Sequence, residues 1–286
     1  DYRGCEHGLI HDEAMVQWWC RLDAEAAQSD LRELGQQARE LGVGGWVVDA
    51  QVDQGGGLIT ALPLERVREA CTPEGPPVGL RLEVGEPLSP KAEELLAQTL
   101  APWLQPPIGL SLQGRPVLLL GATGGFSHPQ FGLRRLKLSL QRLLQGAPKH
   151  TAPWLVGLTS EGEVDASLLL PTTGTTPYRE YLRRANHAPW PSFPAIPVVQ
   201  PPDHAAPQGT GALYAEWLEQ ASALSWFSSD GSKDAAVLIE SWEGHRRWWQ
   251  GLNPGQDRAQ AASPSTQPNT AGRNVSTTHW GTTQGQ

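Results

Sequence analysis

Pairs of carboxylates follow three of the short apolar runs in this sequence. These pairs are Asp49 and Asp53, Glu83 and Glu86, and Glu240 and Glu243. In a fold built from parallel strands closed into a barrel, residues at the carboxyl ends of different strands meet at one mouth. Glycosidic-bond chemistry commonly needs two carboxyl groups there, one as acid and one as base or nucleophile. The pattern therefore predicts a carboxylate site, against the competing interpretation that these residues cap helices and line loops.

The segments that must position these carboxylates alternate between helix and strand. In residues 24–42, apolar residues recur at three- and four-residue steps, which predicts a helix that Gly42 ends before a buried strand at 43–49. The same order predicts further strands at 78–82, 116–120, 154–158 and 236–239, and further helices at 91–103, 133–144 and 213–224. This alternation favours a parallel sheet, closed as a barrel or open.

The length of the chain selects among such folds. A barrel of eight strand–helix units takes about 250 residues, and this chain has 286. Beyond Pro254 the chain is rich in Gln, Ser, Thr, Asn and Gly and holds too little apolar area to offset its ordering entropy. We therefore predict an α/β fold, a complete or incomplete (β/α)8 TIM-type barrel over residues 1–254, with a disordered polar tail over residues 255–286.

Composition excludes several classes of partner. Lys and Arg total 22 against 30 Asp and Glu, a net charge of −8, which argues against nucleic-acid binding because phosphate contacts need a clustered basic surface. No apolar run reaches the roughly 20 residues that cross a bilayer, so no transmembrane segment is predicted. Cys5, Cys20 and Cys71 have neither disulfide-framework nor zinc-site spacing, which favours a reducing, cytoplasmic compartment. The acidic residues lack ligand spacing with His, so no metal is expected.

One segment has the appearance of a nucleotide-binding turn. The predicted strand at 116–120 runs into Gly121-Ala122-Thr123-Gly124, and glycines in such a turn admit a pyrophosphate to a helix N-terminus. Ser127 stands where the third glycine would be, and His128-Pro129 interrupts any immediate helix. We therefore expect no cofactor and rank a nucleotide-dependent oxidoreductase third among the possible functions.

Several segments follow one another in an order that characterises a known family. Residues 37–69 run through a helix, a strand, a loop and the sequence Leu62-Pro63-Leu64-Glu65, and residues 76–87 read PPVGLRLEVGEP. Residues 114–120 (GRPVLLL), 165–171 (DASLLLP), 214–218 (YAEWL) and 235–244 (AAVLIESWEG) complete the order. Over about residues 30–254 the chain resembles the WbsX-type glycosyltransferase family, which is similar to glycoside hydrolase family 99.

The resemblance implies a bacterial carbohydrate-active barrel of cell-surface polysaccharide metabolism. The family closes on a strand followed by E-W-x-E-G, and here Glu240, Glu243 and Gly244 keep that spacing while Trp242 is displaced by one position. The family's W-A-N-E-N-W becomes residues 82–87, LEVGEP, and its opening barrel strand is not recognisable in residues 1–23.

The leading hypothesis is a protein that makes or cleaves glycosidic bonds of a saccharide at the barrel mouth. Glu240 and Glu243 would form the acid/base pair, and Trp242 and His245 would shape the sugar pocket. The sugar hydroxyls would hydrogen-bond to four further carboxylates, Asp49, Asp53, Glu83 and Glu86. The main alternative is a carbohydrate-binding or scaffolding relative that has kept the barrel and lost the chemistry.

Overall fold

The computed structural model describes residues 16–23, 30–71, 75–121, 124–126, 129–144, 152–157, 164–169, 195–201, 214, 218 and 235–252. Their architecture is mixed α/β with mostly parallel strands, which confirms the α/β class and the parallel sheet predicted from the sequence. The predicted tail over 255–286, and the predicted helix at 213–224 apart from Tyr214 and Leu218, lie outside the described residues. No helix of the described part is long and apolar enough to cross a membrane.

The described residues form ten strands, and eight of them form one parallel series. The strands are β1 (Val16–Arg21), β2 (Val43–Val52), β3 (Leu58–Thr60), β4 (Val78–Glu83), β5 (Ser111–Leu112), β6 (Arg115–Leu120), β7 (Trp154–Gly157), β8 (Ala166–Leu169), β9 (Ala195–Val199) and β10 (Ala235–Ile239). Parallel pairs run in the order β1, β2, β4, β6, β7, β8, β9, β10, and β10 pairs in turn with β1. Short antiparallel partners, β3 and β5, flank β2 and β6.

The first strand corrects one expectation from the sequence. No opening strand was predicted in residues 1–23, yet β1 pairs with β10 through Trp19 and Leu238 and with β2 through Cys20 and Trp46. The strand was missed because Gln17 and Arg21 interrupt its apolar pattern. Strands β8 and β9 were also missed, since both are short and Pro197 lies within β9. Proline in a strand pattern argues against a strand.

The described residues form five α-helices, and at least two of them begin at a side-chain cap. They are α1 (Leu31–Glu40), α2 (Leu64–Cys71), α3 (Pro90–Leu100), α4 (Pro129–Leu143) and α5 (Trp242–Leu252). The Asp30 side chain accepts a hydrogen bond from the Arg32 backbone N–H at the start of α1. Ser89 does the same for Ala92 at the start of α3. These residues satisfy backbone donors that a helix start leaves without partners.

Alternation along the strands divides the core into two layers. The outer cluster includes Val48 and Leu82 and packs against apolar residues of α1, α3 and α4, such as Leu34, Leu96 and Leu140. The inner cluster therefore lies on the opposite face of the strands, within the ring of parallel pairs. Its members are Trp19, Val47, Leu110, Leu112, Val117, Leu119, Trp154, Val156, Ala166, Leu168, Ile196, Val198, Ala236 and Leu238.

Two glycines make the inner layer possible. A β-carbon at Gly45 or at Gly79 would collide with the side chain of Leu110, which packs over one face of the paired strands β2 and β4. Gly79 thus occupies an inward-facing position on β4, and the residue two positions later on that strand faces the same way. This places Arg81 on the inner face.

Candidate functional site

Four charged residues form a network at the carboxyl ends of four strands. Each follows an inner-facing position by two residues, so each side chain points to the same inner face. Arg21 follows Trp19 on β1, Asp49 follows Val47 on β2, Arg81 follows Gly79 on β4, and Glu240 follows Leu238 at the end of β10. We call these four residues the mouth quartet.

The mouth quartet is a closed set of charge-assisted hydrogen bonds. Arg81 donates from Nε to Asp49 Oδ1 at 2.7 Å and from Nη1 to Glu240 Oε1 at 2.8 Å. Arg21 donates from Nε to Asp49 Oδ2 at 2.7 Å and from Nη1 to Glu240 Oε2 at 3.3 Å. Every carboxylate oxygen of the quartet thus accepts from a guanidinium, and two positive charges balance two negative ones.

Arg81 is the central member of the quartet. Its side chain is 12 % exposed, whereas that of Arg21 is 35 % exposed. Burial alone would lower the pKa of the Arg81 guanidinium, but its hydrogen bonds to Asp49 and the charges of Asp49 and Glu240 outweigh that effect and raise the pKa above its ordinary value. Arg81 therefore holds both carboxylates while remaining a permanent cation.

Glu83 lies beside the quartet on β4. It follows Arg81 by two positions, so its side chain faces the same inner side. A β-carbon at Gly121, at the end of β6, would lie 3.1 Å from Glu83 Cγ, which shows that the side chain extends toward the neighbouring strand over a glycine. The half-buried Glu83 carboxylate has no ion-pair partner among the described residues.

Glu243 lies in a different cluster from Glu240. It is in the first turn of α5, where Arg246 donates to Oε1 at 2.6 Å and to Oε2 at 3.0 Å and Arg247 donates to Oε1 at 2.7 Å. The hydrogen bond from Arg246 is the main cause that lowers the pKa of the Glu243 carboxyl. Among the described residues, no hydrogen bond or ion pair joins Glu243 to Glu240.

Trp242 and His245 lie in the core. Trp242 is 1 % exposed and packs against Trp46, with ring centroids 5.2 Å apart. His245 has no exposed surface, shares a 3.0 Å hydrogen bond between Nδ1 and the Tyr214 hydroxyl, and contacts the ring edge of Trp18. Both side chains are buried, so in this packing neither one reaches a sugar as the sequence analysis predicted.

Asp53 and Glu86 lie on exposed loops, and no hydrogen bond or ion pair joins them to the quartet among the described residues. Asp53 closes the turn between β2 and β3, because its Oδ1 accepts from the backbone N–H groups of Gly55 and Gly57, each at 2.8 Å. Glu86 accepts a hydrogen bond from the Gln54 side chain. Of the eight residues predicted for the site, the structure brings Asp49 and Glu240 together, with Glu83 on an adjacent position.

The turn role of Asp53 gives a first prediction. Asp53→Ala should lower the free energy of unfolding by about 1 kcal/mol, since two backbone donors lose their acceptor. Urea denaturation measures the change. Asp53→Asn keeps an acceptor oxygen and should retain most of the stability, whereas an equal loss in both variants would contradict the turn role.

Sequence reasoning missed both arginines of the site. Arg21 and Arg81 interrupt apolar runs and were not singled out, because arginine within a strand pattern is usually read as facing solvent. Their positions, two residues after Trp19 and Gly79, identify them as inner-facing. This signal can be used only once the inner face of the strands is known. The described residues contain no group of three or more His, Cys, Asp or Glu side chains placed to hold a metal.

Comparison with known proteins gives no family. The chain matches no family model and no curated protein sequence. It is similar to a solved structure of oxaloacetate acetylhydrolase in complex with the inhibitor 3,3-difluorooxalacetate, at 14 % identity and a TM-score of 0.38, over 89 % of this chain and 84 % of that chain. It is also similar to a glycerophosphodiester phosphodiesterase from Agrobacterium tumefaciens, at 10 % identity and a TM-score of 0.36, over 82 % of this chain and 100 % of that chain. Likenesses this weak establish neither a shared fold nor a shared activity.

Proposed function

We propose that this chain is a carbohydrate-binding α/β barrel that does not make or break glycosidic bonds. The observation that carries the proposal is the pairing of both predicted catalytic carboxylates with arginines. Glu240 is held by Arg21 and Arg81, and Glu243 is held by Arg246 and Arg247 in a separate cluster. The saccharide class comes from the resemblance to WbsX-type glycosyltransferases.

Several physical features disfavour Glu243 as a general acid. A general acid works best when its pKa lies near the operating pH, whereas arginines lower the pKa of the Glu243 carboxyl. Its three hydrogen bonds come from its own helix. Proton transfer to a leaving group would first require Glu243 to break them.

The mouth quartet supports binding instead. Guanidinium groups donate in a fixed fork, and carboxylates accept, so together they match the mixed donor and acceptor character of sugar hydroxyls. The pairing also fixes the four side chains before a ligand arrives, which lowers the entropy that binding would otherwise cost. In the proposed complex, Arg21, as the more exposed arginine, and Asp49 contact the sugar first.

The proposal includes the finer fold and location predicted from the sequence. The ring of parallel pairs supports a (β/α)8 TIM-type barrel, in which ligands bind at the carboxyl ends of the strands. The free, buried thiol of Cys20 is consistent with the reducing, cytoplasmic compartment that we propose.

The test is a saccharide screen with two readouts. The purified chain is titrated by calorimetry with oligosaccharides of different monomers and linkages, and each mixture is then incubated and analysed by mass spectrometry. We expect at least one oligosaccharide to bind and to be recovered intact. Cleaved or elongated products that disappear in a Glu240→Gln, Glu243→Gln double variant would overturn the proposal in favour of glycosidic catalysis.

A further inference from the structure

The charges at the mouth do not cancel once Glu83 is included. The mouth quartet is neutral, because Arg21 and Arg81 balance Asp49 and Glu240. Glu83 adds a negative charge on the same inner face, two residues beyond Arg81, and it has no ion-pair partner among the described residues. The mouth therefore has one carboxylate available to an incoming group.

Asp23 strengthens the negative character of this end of the strands. Its Oδ2 accepts from the Ser241 hydroxyl at 3.0 Å, and its buried Oδ1 has no hydrogen-bond partner in the described part of the chain. Asp23 follows Arg21 by two positions just beyond β1. Among the residues that the structure describes, neither Asp23 nor Glu83 has an ion-pair partner, so an anionic ligand would meet two carboxylates without a counter-ion there.

We infer that the mouth takes an amino sugar, with the ligand's ammonium group on Glu83 and its hydroxyls on the mouth quartet. This inference rests on the proposed function and names the substrate class. An ammonium is a compact charge with three donors, and it neutralises a lone carboxylate without disturbing the paired arginines. A uronate or phosphate group would compete with Asp49 and Glu240 for the guanidinium groups that already pair with them.

The position of Glu83 suits this role. It is half-buried, so its charge is less screened than that of a surface carboxylate. Gly121 presents no side chain between Glu83 and the end of β6.

The experiment compares three oligosaccharide probes on the intact chain. They are tetramers of glucosamine, N-acetylglucosamine and galacturonate, titrated by calorimetry at about pH 6. We expect the glucosamine tetramer to bind about two- to fivefold more tightly than the acetylated one, the range of one partly screened ion pair. The uronate tetramer should bind most weakly. Raising the pH until the ligand's amine deprotonates should remove the preference.

A matched pair of variants assigns the preference to Glu83. In Glu83→Gln, the ratio of glucosamine to N-acetylglucosamine affinity should fall to about one, since the charge is lost and the shape is kept. Glu86→Gln removes an exposed carboxylate of the following loop and should keep the wild-type ratio.

Each other outcome overturns a specific statement. Equal binding of the amino and acetylated tetramers, or tightest binding of the uronate, overturns the amino-sugar inference and leaves the proposed function intact. Absence of binding by all three tetramers and by every saccharide of the wider screen overturns the proposed function itself.

Discussion

Arg81→Met should lower the free energy of unfolding by about 3 kcal/mol, the low end of the loss when one partner of a buried ion pair is removed. Arg81 is 12 % exposed and donates to both carboxylates of the quartet. Its removal leaves Asp49 and Glu240 facing one another with only Arg21 between them. Urea unfolding followed by tryptophan fluorescence measures the loss.

Arg21→Met is the matched control for Arg81. It removes the same group from the same two partners, but the Arg21 side chain is 35 % exposed and its bond to Glu240 is longer. We expect a loss of about 1 kcal/mol, as for exposed ion pairs. A loss equal to or larger than that of Arg81→Met would contradict the central position of Arg81.

A second variant separates charge from packing at Arg81. Glu240→Gln in the Arg81→Met background removes one of the two carboxylates that the first change leaves without a partner. The double variant should be more stable than Arg81→Met alone, because the uncompensated charge rather than the lost side-chain volume causes most of the cost. No recovery would assign the loss to packing of the Arg81 stem.

The second large effect is a pH dependence set by His245. Burial lowers the pKa of the His245 imidazole from its ordinary value of 6.5 to about 4. The unfolded chain therefore binds a proton at higher pH than the folded chain does. The contribution of the neutral His245 imidazole to the free energy of unfolding is fully present above about pH 6.5. It is lost as the pH falls from there to about 4, and it amounts to roughly 3 kcal/mol.

Paired variants isolate the His245 contribution. Tyr214→Phe, His245→Phe removes both partners of the buried hydrogen bond, so no polar atom is left without its partner. The double variant should lose less stability than the wild type between pH 7 and pH 4.5. The carboxylates that also titrate in acid are common to both chains and cancel in the difference. Parallel curves for the two chains would show that His245 does not titrate with unfolding.

The sequence was most informative where apolar runs are continuous. The strand prediction at 116–120 corresponds to β6 and that at 236–239 to β10, because each is an unbroken apolar run. Strand β1 was hidden, since half of its side chains are inner-facing and include Arg21. An inner-facing arginine looks like a solvent-facing one until its partners are known.

The candidate site was predictable in part for the same reason. Asp49 and Glu240 were identified because the carboxyl ends of parallel strands converge, and this convergence does not depend on the conformation of the loops. Glu243 was predicted as a partner of Glu240 because α5 was not recognised. Once residues 242–252 are read as a helix, Arg246 and Arg247 lie three and four residues from Glu243, the spacing at which helical charges pair.

Saccharide affinity of Glu240→Gln compared with Glu243→Gln tests the central claim most directly. Both variants are measured by calorimetry with an oligosaccharide that the wild type binds, at about pH 7, with the folded fraction checked by circular dichroism. We predict that Glu240→Gln weakens binding about tenfold, since it loosens the mouth quartet, and that Glu243→Gln binds as the wild type does. Weakened binding in Glu243→Gln together with unchanged binding in Glu240→Gln would contradict the assignment of the site to the quartet.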